Sequence, residues 1–309
     1  MNISFISGEG TCACCPRHCV ADRIRVKGFC ASGLDPEVAS VCRHLGEEPP
    51  LCGEKGICNL FYAHCNLQCV YCQNYKISRA AVDASMIFYH SLREVVQRVE
   101  SVLADSEPVL GLVSPTHYAA TIPSLIEALH SDGVCPTVVY NSNGYDSVEM
   151  LRMLEPYIDV YLPDFKYSDS SLAAEWSHAA DYPLKAQLAI SEMCRQKGSG
   201  LLCDDRGMAF RGVIVRHLVL PGQVHNSMGV LDWMADNLPM NIHISLMAQY
   251  FPPQGVELPA PLRRTVSPEE YAQVVNHYHQ LGFYNGWVQE LSASETYRPD
   301  FREQQAFEV

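Results

Sequence analysis

The sequence predicts an α/β fold, namely a partial (β/α)6 TIM-type barrel with a small Cys-rich N-terminal metal-binding lobe. Two observations predict this class. After residue 56, short apolar runs of strand length alternate with longer amphipathic runs, as in βα units that build a parallel sheet. Before it, periodic runs are scarce, and eleven of the 14 cysteines lie within the first 72 residues. We therefore expect a metal-organised lobe at residues 1–56 and a barrel at residues 57–309.

The barrel is predicted from six short apolar runs that have the length of strands. These runs are Ile57–Tyr62, Val109–Val113, Thr137–Asn141, Asp159–Pro163, Val213–Leu220 and Asn241–Met247. Apolar residues recur at helical spacing from Leu92, from Ile122 and from Tyr271, and Ser267 followed by Pro268 is typical of a helix start. Six βα units are too few to close an eight-stranded barrel, so we expect the sheet to stay open.

Composition and charge exclude several classes of protein. Hydrophobic residues make up 48% of the chain and charged residues 18%, which is typical of a folded globular protein. The net charge of −13 has the wrong sign for a protein that binds nucleic acid over a broad surface. No apolar run reaches the ~20 residues that span a bilayer, and the start of the chain lacks a leader pattern. We therefore expect a cytoplasmic protein without a membrane or nucleic-acid partner.

The most informative motif is the run Cys65-Asn66-Leu67-Gln68-Cys69-Val70-Tyr71-Cys72, placed directly after the first predicted barrel strand. Three thiolates on one short loop can ligate three irons of a [4Fe-4S] cluster and leave the fourth iron open for a ligand. Structural zinc prefers four protein ligands, and His64 is the alternative fourth ligand for a zinc site. The spacing favours the cluster.

This C-x3-C-x2-C spacing, with Tyr71 before the last cysteine, resembles the motif of the radical S-adenosylmethionine (SAM) superfamily. Further segments resemble the branch related to pyruvate formate-lyase activating enzymes: Glu47-Glu48-Pro49-Pro50, Cys72-Gln73-Asn74-Tyr75, Pro115-Thr116-His117-Tyr118, residues 161–166, residues 216–222 and residues 286–290. The resemblance implies an activating-enzyme-like oxidoreductase that reductively cleaves SAM. The resulting 5′-deoxyadenosyl radical abstracts hydrogen from a protein, peptide or small-molecule substrate, and flavodoxin or ferredoxin donates the electron.

The resemblance also implies roles for individual residues. Cys65, Cys69 and Cys72 match the cluster ligands, and Tyr71 matches the residue that lies against adenine. Arg216 matches an arginine that pairs with the SAM carboxylate, for which a planar guanidinium is suited; the alternative is a structural ion pair at the barrel rim. The polar residues expected around SAM and a nearby cation are Asn141, Ser142, Asp164 and Lys166. No residue is assigned to the hydrogen-abstraction step itself.

One segment departs from the activating enzymes. Their Gly-Gly-Glu-Pro segment after the second strand receives the SAM amino group, whereas this chain has Leu112-Val113-Ser114-Pro115-Thr116-His117 there. Because that segment has no carboxylate, Ser114, Thr116 or backbone carbonyls are expected to accept the amino group. Asn141 also replaces an aspartate. The substrate therefore need not be a glycyl radical enzyme.

A second group of cysteines lies near the start of the chain. Cys12-x2-Cys15-Pro16-x2-Cys19-x10-Cys30 supplies four thiols, a complete set for zinc or for a second iron–sulfur cluster. Free thiols in a loop are the alternative. The corresponding alternative function is a non-catalytic iron–sulfur or zinc protein that acts as a redox sensor or an electron carrier. Such a protein would have no use for Arg216 or for the polar residues that lie in or directly after five of the six predicted strands.

Overall fold

The computed structural model describes residues 12–19, 21–295, 299–303 and 305–307. Residues 1–11 and 20 of the predicted lobe lie outside these ranges. The strands are β1 (Val38–His44), β2 (Ile57–Tyr62), β3 (Val109–Val113), β4 (Thr137–Ser142), β5 (Val160–Pro163), β6 (Leu202–Cys203), β7 (Ala209–Leu218), β8 (His243–Met247) and β9 (Gly286–Val288). The α-helices are α1 (Pro49–Cys52), α2 (Tyr75–Ser78), α3 (Leu92–Leu103), α4 (Ile122–Ser131), α5 (Val148–Leu154), α6 (Ser170–Ser177), α7 (Tyr182–Lys197), α8 (Val224–Asn237) and α9 (Pro268–Gln280).

The strands form one open sheet in the order β1-β2-β3-β4-β5-β7-β8-β9, and β6 pairs with β7. Neighbours from β2 to β9 along this order are parallel, whereas β1 is antiparallel to β2. The six predicted strands are β2, β3, β4, β5, β7 and β8. The predicted class, an open partial barrel of βα units with a cysteine-rich N-terminal segment, is confirmed.

Most strand bounds lie within two residues of the prediction, and two larger differences have a structural reason. β7 begins at Ala209, four residues before the predicted start, because its first residues form an antiparallel pair with Leu202–Cys203. β1 lies inside the predicted lobe and had no predicted strand, yet its residues are almost all buried. Residues 38–52 therefore contribute to the barrel sheet and its interior. Residues 12–37, where described, contain neither helix nor strand.

The inside of the barrel is built in layers by alternate residues of the strands. One layer is apolar and includes Ile57, Val109, Val139, Val160, Leu162 and Ile214, together with Leu51 and Cys52 from α1. Two residues further along their strands, Asn59, Asn141 and Arg216 share the inward side, since successive side chains of a strand alternate. The barrel interior is therefore apolar in the layer that contains Ile57 and polar in the layer that contains Asn59, Asn141 and Arg216.

Helix α9 begins at Pro268, as Ser267 followed by Pro268 predicts. Ser91 and Ser267 each accept a hydrogen bond from the backbone of the third helical residue, and a glutamate at that position completes a capping box. In the ranges that the structure describes, no helix is both long and apolar enough to cross a bilayer.

Candidate functional site

A cavity of about 190 Å³ lies at the carboxyl ends of the barrel strands. It brings together nine of the predicted site residues: Cys65, Cys69, Tyr71, Cys72, Ser114, Asn141, Asp164, Lys166 and Arg216. They come from the ends of β2, β3, β4, β5 and β7, which meet at one edge because these strands are parallel. This edge is where active sites of TIM-type barrels lie.

Each sulfur of the cysteine loop accepts a hydrogen bond from another part of the chain. Ser177 donates to Cys69 at 2.9 Å, Ser78 donates to Cys72 at 3.2 Å, and the Asn143 amide donates to Cys65 at 3.4 Å. Hydrogen-bond donors around sulfur suit thiolate ligands and tune the cluster that they hold. The donor set therefore fits a cluster with three protein ligands.

The backbone of this loop is strained beside its cysteines. His64 and Gln68 have φ values of 69° and 54°, in the left-handed region that residues other than glycine rarely occupy. Such strain concentrates at functional sites. Within the described ranges, no three Cys, His, Asp or Glu side chains already surround one point as metal ligands.

Tyr71 lines the cavity within an aromatic cage. Its ring makes edge contacts with Tyr167, Trp176 and Tyr250 at centroid distances of 6.2 to 6.4 Å. The side chain is buried, and such edge-to-face contacts fix the ring orientation. Tyr71 is thus held rigidly next to the cysteine that follows it.

Lys166 and Asp164 form a partly buried ion pair at the end of β5, with Nζ and Oδ2 at 2.5 Å. Burial alone would lower the pKa of Lys166, but Asp164 and the Cys69 thiol outweigh it and raise that pKa. The lysine therefore carries its positive charge beside the cysteine loop.

Arg216 lies among three carboxylates that the sequence interpretation did not connect with it. Its guanidinium is 3.0 Å from Glu47, 3.8 Å from Glu48 and 3.6 Å from Asp164. Burial raises the pKa of Glu48, although Arg216 opposes this shift. Asn59 also donates a hydrogen bond to Glu47 at 2.9 Å. One side of the cavity is therefore lined by a network of one arginine with several acids.

Several atoms of this network have no hydrogen-bond partner although they are buried. They are Glu48 Oε2, Asp164 Oδ1, Arg216 Nε and Asn59 Oδ1. Unpaired buried polar atoms are costly, and in native proteins they point to an absent ligand or water. Glu47 and Glu48 are functional candidates that sequence reasoning missed. The one available signal was the pair of acids directly before Pro49-Pro50.

Thr116 and Ser142 do not line the cavity in the structure. Both hydroxyls instead donate to the buried carboxylate of Asp146, at 2.8 and 2.6 Å, and Tyr140 donates to it at 2.9 Å. Burial raises the pKa of Asp146, while these three donors oppose the shift. Donation to Asp146 leaves each hydroxyl oxygen able to accept a further hydrogen bond, and the assignment of Thr116 and Ser142 as SAM ligands stays a prediction.

The four N-terminal cysteines of the predicted metal site line a second, small cavity of about 10 Å³. Cys12, Cys15, Cys19 and Cys30 are joined there by Cys14, which the motif did not include. No disulfide joins the cysteines that the structure describes. Cys42, Cys52 and Cys58 are buried among apolar residues, as expected for small hydrophobic side chains.

No protein-family model matches the chain. A curated protein of Methanocaldococcus jannaschii, described as uncharacterized, is 28% identical over 266 residues, which are 84% of this chain and 71% of that protein. Among solved structures, anSMEcpe with bound AdoMet is 11% identical over 71% of this chain, with a TM-score of 0.47. HydG, a maturase of the [FeFe]-hydrogenase, is 16% identical over 75%, with a TM-score of 0.48. Methylornithine synthase is 14% identical over 70%, with a TM-score of 0.41. The chain spans 55%, 52% and 59% of these three solved chains.

Proposed function

We propose that the chain is a radical SAM enzyme that acts on a protein, peptide or small-molecule substrate. The observation that carries the proposal is the placement of three loop cysteines and Tyr71 in the same cavity as polar residues from four further strand ends. Three thiolates fill three iron positions of a [4Fe-4S] cluster and leave one iron free for SAM. An electron carrier has no need for this open position or for the polar residues around it.

When bound, the cluster would pass one electron from a reduced donor such as flavodoxin or ferredoxin to the sulfonium of SAM, which would give methionine and a 5′-deoxyadenosyl radical. The chain contributes binding and orientation. Cys65, Cys69 and Cys72 hold the cluster, and the caged ring of Tyr71 limits where adenine lies. Hydrogen abstraction follows between the radical and the substrate.

The charged network that lines the cavity is placed to orient the polar end of SAM. Arg216 Nε is a buried donor without a partner, so it can pair with the SAM carboxylate while the rest of its guanidinium stays on Glu47. Glu48 Oε2 is a buried acceptor without a partner and suits a positively charged group. It offers the carboxylate that the segment after the second predicted strand lacks.

The proposal is tested by the effect of SAM on the cluster. The wild-type chain, Cys69→Ala and the control Cys135→Ala are reconstituted anaerobically with iron and sulfide; Cys135 is exposed and outside the cavity. We expect SAM to change the electron paramagnetic resonance signal of the reduced cluster in the wild type and the control, and Cys69→Ala to lose the signal. A cluster that forms, is reduced and shows no response to SAM contradicts the proposal and favours an electron carrier or redox sensor.

A further inference from the structure

We infer that Cys12, Cys15, Cys19 and Cys30 bind one zinc ion, and that this centre anchors the loop between Cys65 and Cys72. The inference goes beyond the proposed function because it concerns a second metal site. Its first support is that all four thiols line one cavity, although they span 19 positions of a segment without helix or strand. A segment of this kind depends on a metal for its fold.

The donor set and the size of the cavity suit a single ion, although the four side chains do not yet surround one point. Four thiolates complete the tetrahedral shell of zinc. The cavity of about 10 Å³ has room for one water-sized sphere, whereas a cluster of four irons and four sulfides is much larger. The local backbone keeps the ligands close, because Cys12 N–H donates to the Cys19 carbonyl at 2.9 Å. At Gly28, an added Cβ would lie 3.2 Å from the Cys19 sulfur, so the chain leaves space beside that ligand.

Arg23 supplies an independent observation. Its side chain is 4% exposed, and its Nη2 has no hydrogen-bond partner. It donates to the carbonyls of Ser32 and His117 and lies 3.9 Å from the Cys14 sulfur, and no carboxylate in the described ranges pairs with it. A buried cation requires an anion nearby. Zinc with four thiolates carries a net charge of about −2. This negatively charged centre compensates the buried positive charge of Arg23.

The link to the cysteine loop of the main cavity runs through Arg17, which lies between Cys15 and Cys19. Arg17 donates to the carbonyls of Asn66, Ser177 and His178. Asn66 directly follows Cys65, and the Ser177 hydroxyl donates to Cys69. A metal that fixes Cys15 and Cys19 therefore also fixes the residues that hold two of the three loop cysteines.

Metal counts on the full-length chain test the zinc site. We expect one zinc per chain in the wild type, in Cys69→Ser and in the control Cys135→Ser, and loss of that zinc in Cys15→Ser. Cobalt(II) added to Cys69→Ser in place of zinc should give the thiolate-to-cobalt absorption of a tetrathiolate site. Zinc content unchanged in Cys15→Ser overturns the inference, as does an iron–sulfur cluster retained by Cys69→Ser. Neither result depends on SAM cleavage, so this test fails or succeeds separately from the proposed function.

A second measurement uses the wild-type chain, without substitution of any proposed zinc-binding cysteine. It therefore applies even if Cys15→Ser does not fold. The wild-type chain is alkylated before and after zinc is removed with a chelator, and the modified cysteines are located by mass spectrometry. We expect Cys12, Cys15, Cys19 and Cys30 to be protected together by zinc alone. Protection that does not change when zinc is removed and returned overturns the site.

The anchoring role is tested with Arg17→Gln, which leaves every cysteine in place. Zinc should remain at one per chain, while amide hydrogen exchange over residues 65–72 becomes about tenfold faster because hydrogen bonds from a charged group are lost. Arg25→Gln is the control, since the Arg25 side chain is 84% exposed. Exchange in Arg17→Gln equal to that of the control overturns the anchoring role.

Discussion

Arg216 is the residue whose surroundings say most about ligand binding. Its guanidinium contacts Glu47, Glu48 and Asp164, yet its Nε lacks a hydrogen-bond acceptor. The carboxylates hold the planar group in one orientation. Nε lies 3.8 Å from Glu48 and 3.6 Å from Asp164 without a hydrogen bond to either, and it is the donor that we propose for the SAM carboxylate. A side chain that is already held in its binding orientation loses less conformational entropy when a ligand binds.

We expect Arg216→Lys to weaken SAM binding by about 1.5–3 kcal/mol, because an ammonium keeps the charge but loses the directed donor and the planar fork. The measurement is the SAM dissociation constant of the reconstituted protein by calorimetry. Arg152→Lys is the control, since the Arg152 side chain is 61% exposed. An unchanged dissociation constant in Arg216→Lys would show that the arginine serves only its ion pairs.

His217, next to Arg216 in β7, makes stability depend on pH. It is fully buried, its Nδ1 contacts the Phe165 carbonyl at 2.6 Å, and its Nε2 contacts the Ser227 hydroxyl at 2.9 Å. Burial lowers the pKa of His217 to about 4, below the unfolded value of about 6.5. Its contribution to stability is therefore present above pH 6.5 and is lost as the pH falls toward 4.

In urea unfolding between pH 6 and 4.5, His217→Gln should show a shallower pH dependence than the wild type. The difference in slope is expected to be about 1.4 kcal/mol per pH unit, because one titrating group is removed. Parallel slopes for the two proteins would contradict this assignment.

At the scale of single elements, strands made of a continuous apolar run could be predicted from the sequence. Strands without such a run could not. The runs at β2 and β3 match the sequence prediction at both ends. β1 was missed because its run includes the polar residues Ser40, Arg43 and His44 and lies among cysteines and prolines, although almost all of it is buried. β9 has only three residues.

The candidate site was predictable to the level of strand ends. Parallel strands place those ends together whatever the side chains do, which is why Ser114, Asn141 and Asp164 share a cavity. The direction in which a hydroxyl points depends on hydrogen-bond partners that are distant in sequence. The Thr116 hydroxyl donates to Asp146 and does not line the cavity. Glu48 was missed because acids in a turn are usually solvated, and only the position of α1 inside the barrel buries it.

Gly111 in β3 gives a test of the inner layer. A Cβ there would lie 2.0 Å from Asn59 Oδ1, so Gly111→Ala must displace the side chain that donates to Glu47. We expect urea unfolding to show a loss of about 1–3 kcal/mol, as for other overpacked cores. Gly33→Ala is the matched control, because a Cβ at Gly33 meets nothing within 4 Å. Equal stabilities of the two variants would contradict the packing described for this layer.

On the scale of the whole molecule, two groups of cysteines occupy different environments in one chain. Three cysteines lie on a barrel loop at an open cavity with charged residues, and five surround a closed space beside a buried arginine. The first arrangement has room for a ligand and the second does not. We therefore expect radical formation at the barrel cavity and a structural role for the proposed N-terminal zinc centre.

The central claim is that the barrel cavity cleaves SAM reductively. The direct measurement is 5′-deoxyadenosine by mass spectrometry after the anaerobically reconstituted chain is reduced with dithionite in the presence of SAM. We predict 5′-deoxyadenosine from the wild type and from Cys135→Ala, and none from Cys69→Ala with unchanged circular dichroism. A wild-type chain that holds a reduced cluster and yields no 5′-deoxyadenosine, or a Cys69→Ala variant that yields as much as the wild type, would contradict the claim.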